Sequence, residues 1–427
     1  MVAVRHARIL FAATALIVGL PVAVSLGQPA PATAPAATPA PAADNAAGGG
    51  RGRGGRGGQQ GDYNVSKRTD EDKALVNPYA LNQAWYTMPK GRFLGSSSAI
   101  DIDKDGKSVW IAERCGGQDL CAGSHVDPIM KFSADGKFLK AFGHDMISYP
   151  HGIYVDKAGN IWVTDLQSNI DNAARAGRGN FPAPPADTKP AGAQVLKFSP
   201  AGKLLLRIGT PGVYGSDESH FSQPSDVVTD DAGNIYVADG HDTLPANNRI
   251  AKFDKNGKFL KQWPSCLPND RQLDCSHSIF IDKEGEILVA NRGNGRIDIY
   301  DQDGTLKRSF SQFGKSGGLF VDKNDVLYSA DSESGIGQGQ AYVRGIHIGD
   351  LHTGVVTAFI PDALGSPAPW NPLRGTSSPE GVAVDKDGRI YISAVTPPGM
   401  ARYTLQHNTV PTNSAGAPAG GRGGRAQ

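Results

Sequence analysis

The chain is poor in several things at once. Its 427 residues carry a formal net charge of +1, so no whole-molecule field draws it to nucleic acid or to an acidic membrane. Beyond the N-terminus no apolar run is long enough to span a bilayer. There are four cysteines, in two close pairs, Cys115 with Cys121 and Cys266 with Cys275. Neither pair has the Cys-x-x-Cys spacing of a zinc knuckle, and no second half of such a site lies nearby. In an exported protein each pair predicts a local disulfide, with free thiols as the alternative.

Export is itself an expectation from the N-terminus. Arg5 and Arg8 precede "ILFAATALIVGLPVAVSLG", and Ala23 and Ser25 offer an A-x-S cleavage site. Residues 1–27 therefore read as a secretory signal, which implies a periplasmic or extracellular protein; an uncleaved membrane anchor is the alternative. Residues 28–70, Pro/Ala-rich and then Gly/Arg-rich, have no apolar periodicity and read as a disordered linker, as does the tail 409–427. "RGRGGRGG" has the wording of an RNA-binding segment, but export argues against RNA and for a solvated tether. No nucleic acid partner is expected, and no membrane contact beyond the N-terminal segment.

What the chain has in quantity is glycine, and over residues 71–408 much of it falls in a repeat. The unit is a short apolar strand, an Asp-x-x-Gly turn and a second apolar strand. It recurs as "SSSAIDIDKDGKSVWIAER", "YPHGIYVDKAGNIWVTD", "QPSDVVTDDAGNIYVAD", "CSHSIFIDKEGEILVAN", "KSGGLFVDKNDVLYSAD" and "SPEGVAVDKDGRIYISA". In the fifth copy Asp325 stands where the others have Gly. Asp caps its own turn and Gly supplies positive φ, so these aspartates are structural. All copies but the last are followed by a second strand pair. Six units of four antiparallel strands predict an all-β, six-bladed propeller. The sixth unit lacks a fourth strand, which "PYALNQAWYTMP" near the N-terminus can supply to close the ring.

If the strands of a blade are a to d, the short turns join a to b and c to d. The long connections, b to c and d to a, then share one face with the starts of strands a and the ends of strands b. Long loops on a rigid scaffold are where binding and catalysis usually sit. When the six a strands are aligned on their turn Asp, one column holds Ser98, His151, Ser225, His277, Gly317 and Glu380. The residues able to bind metal fall in alternate blades, and strand a is innermost. His151, His277 and Glu380 are thus expected to converge on the axis as a two-His, one-carboxylate set for zinc or another divalent transition metal, with a position left open. The ends of the b strands place Arg114, His241 and Arg292 at the same mouth. Two arginines can hold a carboxylate, and a histidine can move a proton near neutral pH. The alternatives are histidines lining a wet channel and arginines paired with acids such as Glu113.

From about residue 75 to 407 the repeat wording resembles NHL-repeat propellers. "YPHGIYVDKAGNIWVTD", "QPSDVVTDDAGNIYVADG", "SHSIFID" and "ANRGNGRI" narrow the resemblance to the peptidyl-α-hydroxyglycine α-amidating lyases. That resemblance implies a six-bladed propeller with a central zinc and a structural calcium. The activity it implies is cleavage of a carbinolamide into an amide and glyoxylate. It implies zinc ligation by His151 and His277 and active-site roles for Arg114 and Arg292. Two positions depart from the family. Its third zinc histidine and the calcium-binding Asp that follows correspond to Glu380 and Gly381, and its catalytic Tyr to His241.

The expected function is an exported metal-dependent lyase whose ligand, small or peptidic, carries a carboxylate or carbonyl. In that reading Arg114, His241 and Arg292 are catalytic and His151, His277 and Glu380 hold the metal. One alternative is a non-catalytic propeller that binds peptide or glycan on its long-loop face. Another is a calcium lactonase-like hydrolase using Glu380, Asn291 and Asp226; two axial histidines disfavour it, because calcium prefers oxygen ligands.

Overall fold

A computed structural model of the chain describes residues 74–117, 120–121, 123–170, 187–241, 247–334, 344–362 and 379–406. The expected signal segment, the linker and the tail lie outside these residues.

The fold is a six-bladed β-propeller of four antiparallel strands per blade. Blade one comprises β2 (Ala99–Ile102), β3 (Val109–Ala112), β4 (Ile129–Phe132) and β5 (Phe138–Phe142). Blade two comprises β6 (Pro150–Val155), β7 (Ile161–Asp165), β8 (Gln194–Phe198) and β9 (Leu204–Ile208). Blade three comprises β10 (Pro224–Thr229), β11 (Ile235–Asp239), β12 (Arg249–Phe253) and β13 (Phe259–Pro264). Blade four comprises β14 (Ser278–Ile281), β15 (Ile287–Asn291), β16 (Arg296–Tyr300) and β17 (Leu306–Phe310). Blade five comprises β18 (Ser316–Val321), β19 (Val326–Asp331), β20 (Gly345–Asp350) and β21 (Val356–Pro361). Blade six comprises β22 (Pro379–Val384), β23 (Ile390–Ala394), β24 (Gly399–Leu405) and, from the N-terminus, β1 (Tyr79–Asn82). Tyr79 pairs with Leu405 and Asn82 with Arg402, so the ring closes where the sequence predicts.

Apolar strands pack this way because each sheet has two faces to bury. The second strand of blades two to four and six is buried throughout. Its alternate side chains go to the two neighbouring blades. Each hydrophobic cluster accordingly spans one blade–blade interface. Trp110 and Ile129 meet Ile153 and Leu196 between blades one and two, and Ile346 and Ile360 meet Val382 and Ile392 between blades five and six. Trp85, Tyr391 and Ile111 fill the seam between blades six and one.

The turns behave as their chemistry requires. Asp156 Oδ1 accepts the Asn160 N–H at 2.8 Å, and its other oxygen accepts Trp162 Nε1–H at 3.2 Å. Asp325 adopts φ 61°, the left-handed conformation that glycine supplies in the other copies. In four of the six copies the lysine after the turn Asp reaches forward to the next blade. Lys104 donates to the Ala158 carbonyl, Lys157 pairs with Asp231, Lys283 with Asp325, and Lys386 donates to the Asp105 carbonyl across the closing seam.

Both expected disulfides form, Cys115–Cys121 and Cys266–Cys275. Among the described residues no helix is long and apolar enough to cross a membrane.

Candidate metal centre

The six column residues Ser98, His151, Ser225, His277, Gly317 and Glu380 all line one cavity on the propeller axis. Innermost strands converge there because each blade's first strand packs against the next. The histidines of this column are oriented by the same column in the following blade. His151 Nδ1 lies 2.7 Å from the Ser225 carbonyl oxygen, and His277 Nδ1 2.7 Å from that of Gly317. A carbonyl oxygen only accepts, so each Nδ1 carries the hydrogen and each Nε2 is the nitrogen turned to other partners. A backbone carbonyl on the far ring nitrogen is how metal-binding imidazoles are commonly held in orientation.

The third member of the group is His241, from the end of β11. The ligand atoms of His151, His241 and His277 lie within 4.8 Å of one another, and all three residues are buried. Their ring centroids are 4.7–4.9 Å apart. Burial, then the charge of Arg292, then His151 and Arg114, hold the His277 imidazole well below its ordinary pKa, so it is neutral. Its Nε2 is buried without a hydrogen-bond partner. A buried unsatisfied acceptor costs about 1–3 kcal/mol, and a metal ion removes that cost. Three imidazole nitrogens so close together suit a divalent transition metal better than calcium.

The grouping differs from the alternate-blade set expected from the sequence. The three close residues come from adjacent blades two, three and four. His241 reaches the axis from the mouth, off the end of a second strand, whereas Glu380 is drawn away by a cation. Its Oε1 accepts from Arg292 Nη1 at 3.0 Å. Arg292 also donates Nε–H to Asp274 at 2.5 Å. Burial works against the Arg292 charge, but Asp274, Glu333 and Glu380 outweigh it and raise its pKa. Arg114 donates from Nη2 to Ser98 Oγ at 2.9 Å, and its guanidinium stacks 4.0 Å over the Tyr149 ring. Glu113, the acid expected beside Arg114, instead pairs with Arg92 and accepts the Gly95 and Gly116 N–H groups.

No family model matches the chain. It is 28% identical over 278 residues to human NHL repeat-containing protein 3, across 63% of this chain and 70% of that one. To peptidyl-glycine alpha-amidating monooxygenase A of Xenopus laevis it is 29% identical over 279 residues, 62% of this chain but 25% of that protein. To the probable peptidyl-alpha-hydroxyglycine alpha-amidating lyase pgal-1 of Caenorhabditis elegans it is 28% identical over 284 residues, 64% of this chain and 69% of that one. Its relatives are NHL-repeat and amidating-lyase proteins. The chain matches only a quarter of the length of the Xenopus enzyme, so that protein's whole activity does not transfer with the match.

Beside these relatives, two features of the site stand out. Each site arginine sits against a disulfide and a left-handed residue. Cys115, φ 51°, follows Arg114; Asp274, φ 56°, holds Arg292 and precedes Cys275. That conformation costs an L-residue about 1–3 kcal/mol, and the adjoining cross-links help to hold it. The second feature concerns calcium. At Gly381 an added Cβ would press on Ser393 Oγ and come within 2.9 Å of the Ala99 Cα. A carboxylate there does not fit. The lactonase set is not assembled either: Asn291 donates to Asp298 at 3.0 Å, and Asp226 accepts from Ser278 Oγ at 2.8 Å, while Glu380 holds Arg292.

Proposed function

We propose that the propeller is a metal-dependent carbon–nitrogen lyase of the exported space, acting on a carbinolamide that ends in a carboxylate. The observation that carries this reading is the convergence of three buried histidines, two of them oriented through Nδ1 by backbone carbonyls, beside two arginines. The relatives named as amidating lyases support the same reaction class. His151, His241 and His277 would hold zinc or a similar ion, which when bound supplies Lewis-acid activation of an oxygen.

The chain's own groups do the rest. Arg114 and Arg292 bind and orient the substrate carboxylate or carbonyl, a task suited to planar, always-charged guanidinium groups. Burial of the site strengthens those contacts by excluding water. In the reaction the substrate hydroxyl loses its proton and its C–O bond becomes C=O. The C–N bond breaks with its electron pair going to nitrogen, and nitrogen takes a proton. The products are an amide and glyoxylate.

The test is incubation of the full-length, zinc-loaded protein with α-hydroxyhippuric acid, a small carbinolamide with a carboxylate. Release of benzamide and glyoxylate in equal amounts, abolished by His151→Ala, is the expected result. A protein that binds one zinc and releases neither product is not this lyase, and the non-catalytic binding propeller then becomes the working description.

A further inference from the structure

The three histidines occupy one half of the channel mouth, that of blades two, three and four. The other half belongs to blades five, six and one. It presents Gly317, Glu380 and Ser98, with Arg292 bound to Glu380 and Arg114 bound to Ser98. An ion on the three imidazoles has its remaining positions toward that second half.

Among the described residues few groups there can accept a proton. Arginine does not give up its own. Gly317 has no side chain, and Ser98 Oγ is engaged by Arg114. Glu380 is a buried carboxylate, with one oxygen on Arg292. Its place is kept by a close approach: a Cβ on Gly317 would lie 3.1 Å from the Glu380 Cα and 3.2 Å from its Cγ. Gly317 is also the residue whose carbonyl orients His277. Glu333 reaches the same Arg292 nitrogen only at 3.9 Å and its side chain is 40% exposed. Asp274 is held at Nε of the same arginine.

We infer that His241 and Glu380 have exchanged the roles their positions suggested: His241 holds the metal, and Glu380 is the proton acceptor facing its open side. The inference rests on the metal-site reading above. In the lyase reaction Glu380 takes the hydroxyl proton as C=O forms, and returns it to the nitrogen that leaves with the C–N electron pair. No further reactant is required.

Cobalt(II) tests this without a substrate. The full-length protein and its Glu380→Gln, Glu380→Asp, Glu333→Gln and His241→Ala variants are loaded with cobalt, assayed for metal by mass spectrometry and titrated by visible absorption. Glu380→Gln is expected to keep the parent's metal content and to lower the midpoint of the spectral titration by about one pH unit, because a negative group no longer opposes ionisation of the bound water. Glu380→Asp stays nearer the parent, Glu333→Gln leaves the midpoint in place, and His241→Ala loses cobalt about 100-fold more readily. Loss of metal in Glu380→Gln with retention in His241→Ala overturns the exchange. So does an unmoved midpoint in Glu380→Gln, or a parent that takes up no cobalt. If the cobalt results hold but α-hydroxyhippuric acid is not cleaved, the substrate reading fails and the placement of Glu380 stands.

Discussion

The ring of His241, from the end of the second strand of blade three, stands 4.7 Å from the ring of His151, on the first strand of blade two. Two elements of different blades and different radial positions thus meet at one point on the axis. Much of the site's behaviour should follow from that meeting.

Metal should stabilise the fold through it. Zinc at about 100 times its dissociation constant adds about 2.7 kcal/mol to the stability of the folded state. The parent's melting temperature should rise by several degrees on zinc addition, and that of His241→Ala should not. Calorimetry with and without the ion reads the difference. An equal rise in both proteins would place the ion elsewhere.

Acidity should matter through two carboxyls of the channel wall. Burial raises Asp101 to about 7, against the N–H groups of Val155 and Ile102, and raises Asp226 to about 6, against those of Ile279 and Val227. Both exceed the ordinary value of 3.8. Between the ordinary and the raised values the folded chain holds protons that the unfolded chain has released, so these groups make stability fall as pH rises. Their contribution is complete below about pH 4 and gone above about pH 7. Asp101→Asn keeps an acceptor for Val155 but cannot ionise, and should flatten the decline of melting temperature between about pH 4 and 7. A variant with the parent's slope would assign that slope to other groups.

Gly381→Asp would place a carboxylate where the resembling lyases bind calcium. The strand spacing leaves no room for it, and overpacking of this sort costs about 1–3 kcal/mol. The variant should melt several degrees below the parent, with or without added calcium. Recovery of the lost stability by calcium would show that the channel can accommodate the ion after all.

Ring closure should be separable from blade integrity. A chain without residues 79–82 leaves β24 with an unpaired edge and takes Tyr79 from the cluster between blades five and six. It should lose several degrees of melting temperature and associate on size-exclusion chromatography, while strand content by circular dichroism falls only slightly. A monomer with the parent's melting point would mean that the other five blade interfaces suffice.

The fold was legible because its signals are local and repeated. Asp-x-x-Gly between two apolar runs specifies a turn and two strands, and repetition of that unit leaves a ring as the way to cover every face. The missing fourth strand of the last blade points to the segment "PYALNQAWYTMP", within which Tyr79–Asn82 forms that strand. The site was legible only in one column. Aligning first strands compares residues at a single height on the axis, and it found His151 and His277 with their orienting neighbours. His241 belongs to a different strand and height, so no alignment of first strands could set it beside them. Its position at the mouth was foreseen, its contact with the other rings was not. Glu380 shows the converse. Its column is the metal column, but the direction of its carboxylate is decided by Arg292, a neighbour from another blade.

The forward-reaching lysines of the plain face act as straps across four of the six seams. Each ties its turn to the next one round, and the tie from Lys386 crosses the seam between the last blade and the first. Widening the channel at one of those seams would pull on its strap. The opposite rim can therefore lengthen, shorten or reword its loops, and so change what it greets, while the bore beneath keeps its gauge and the three imidazoles keep their spacing.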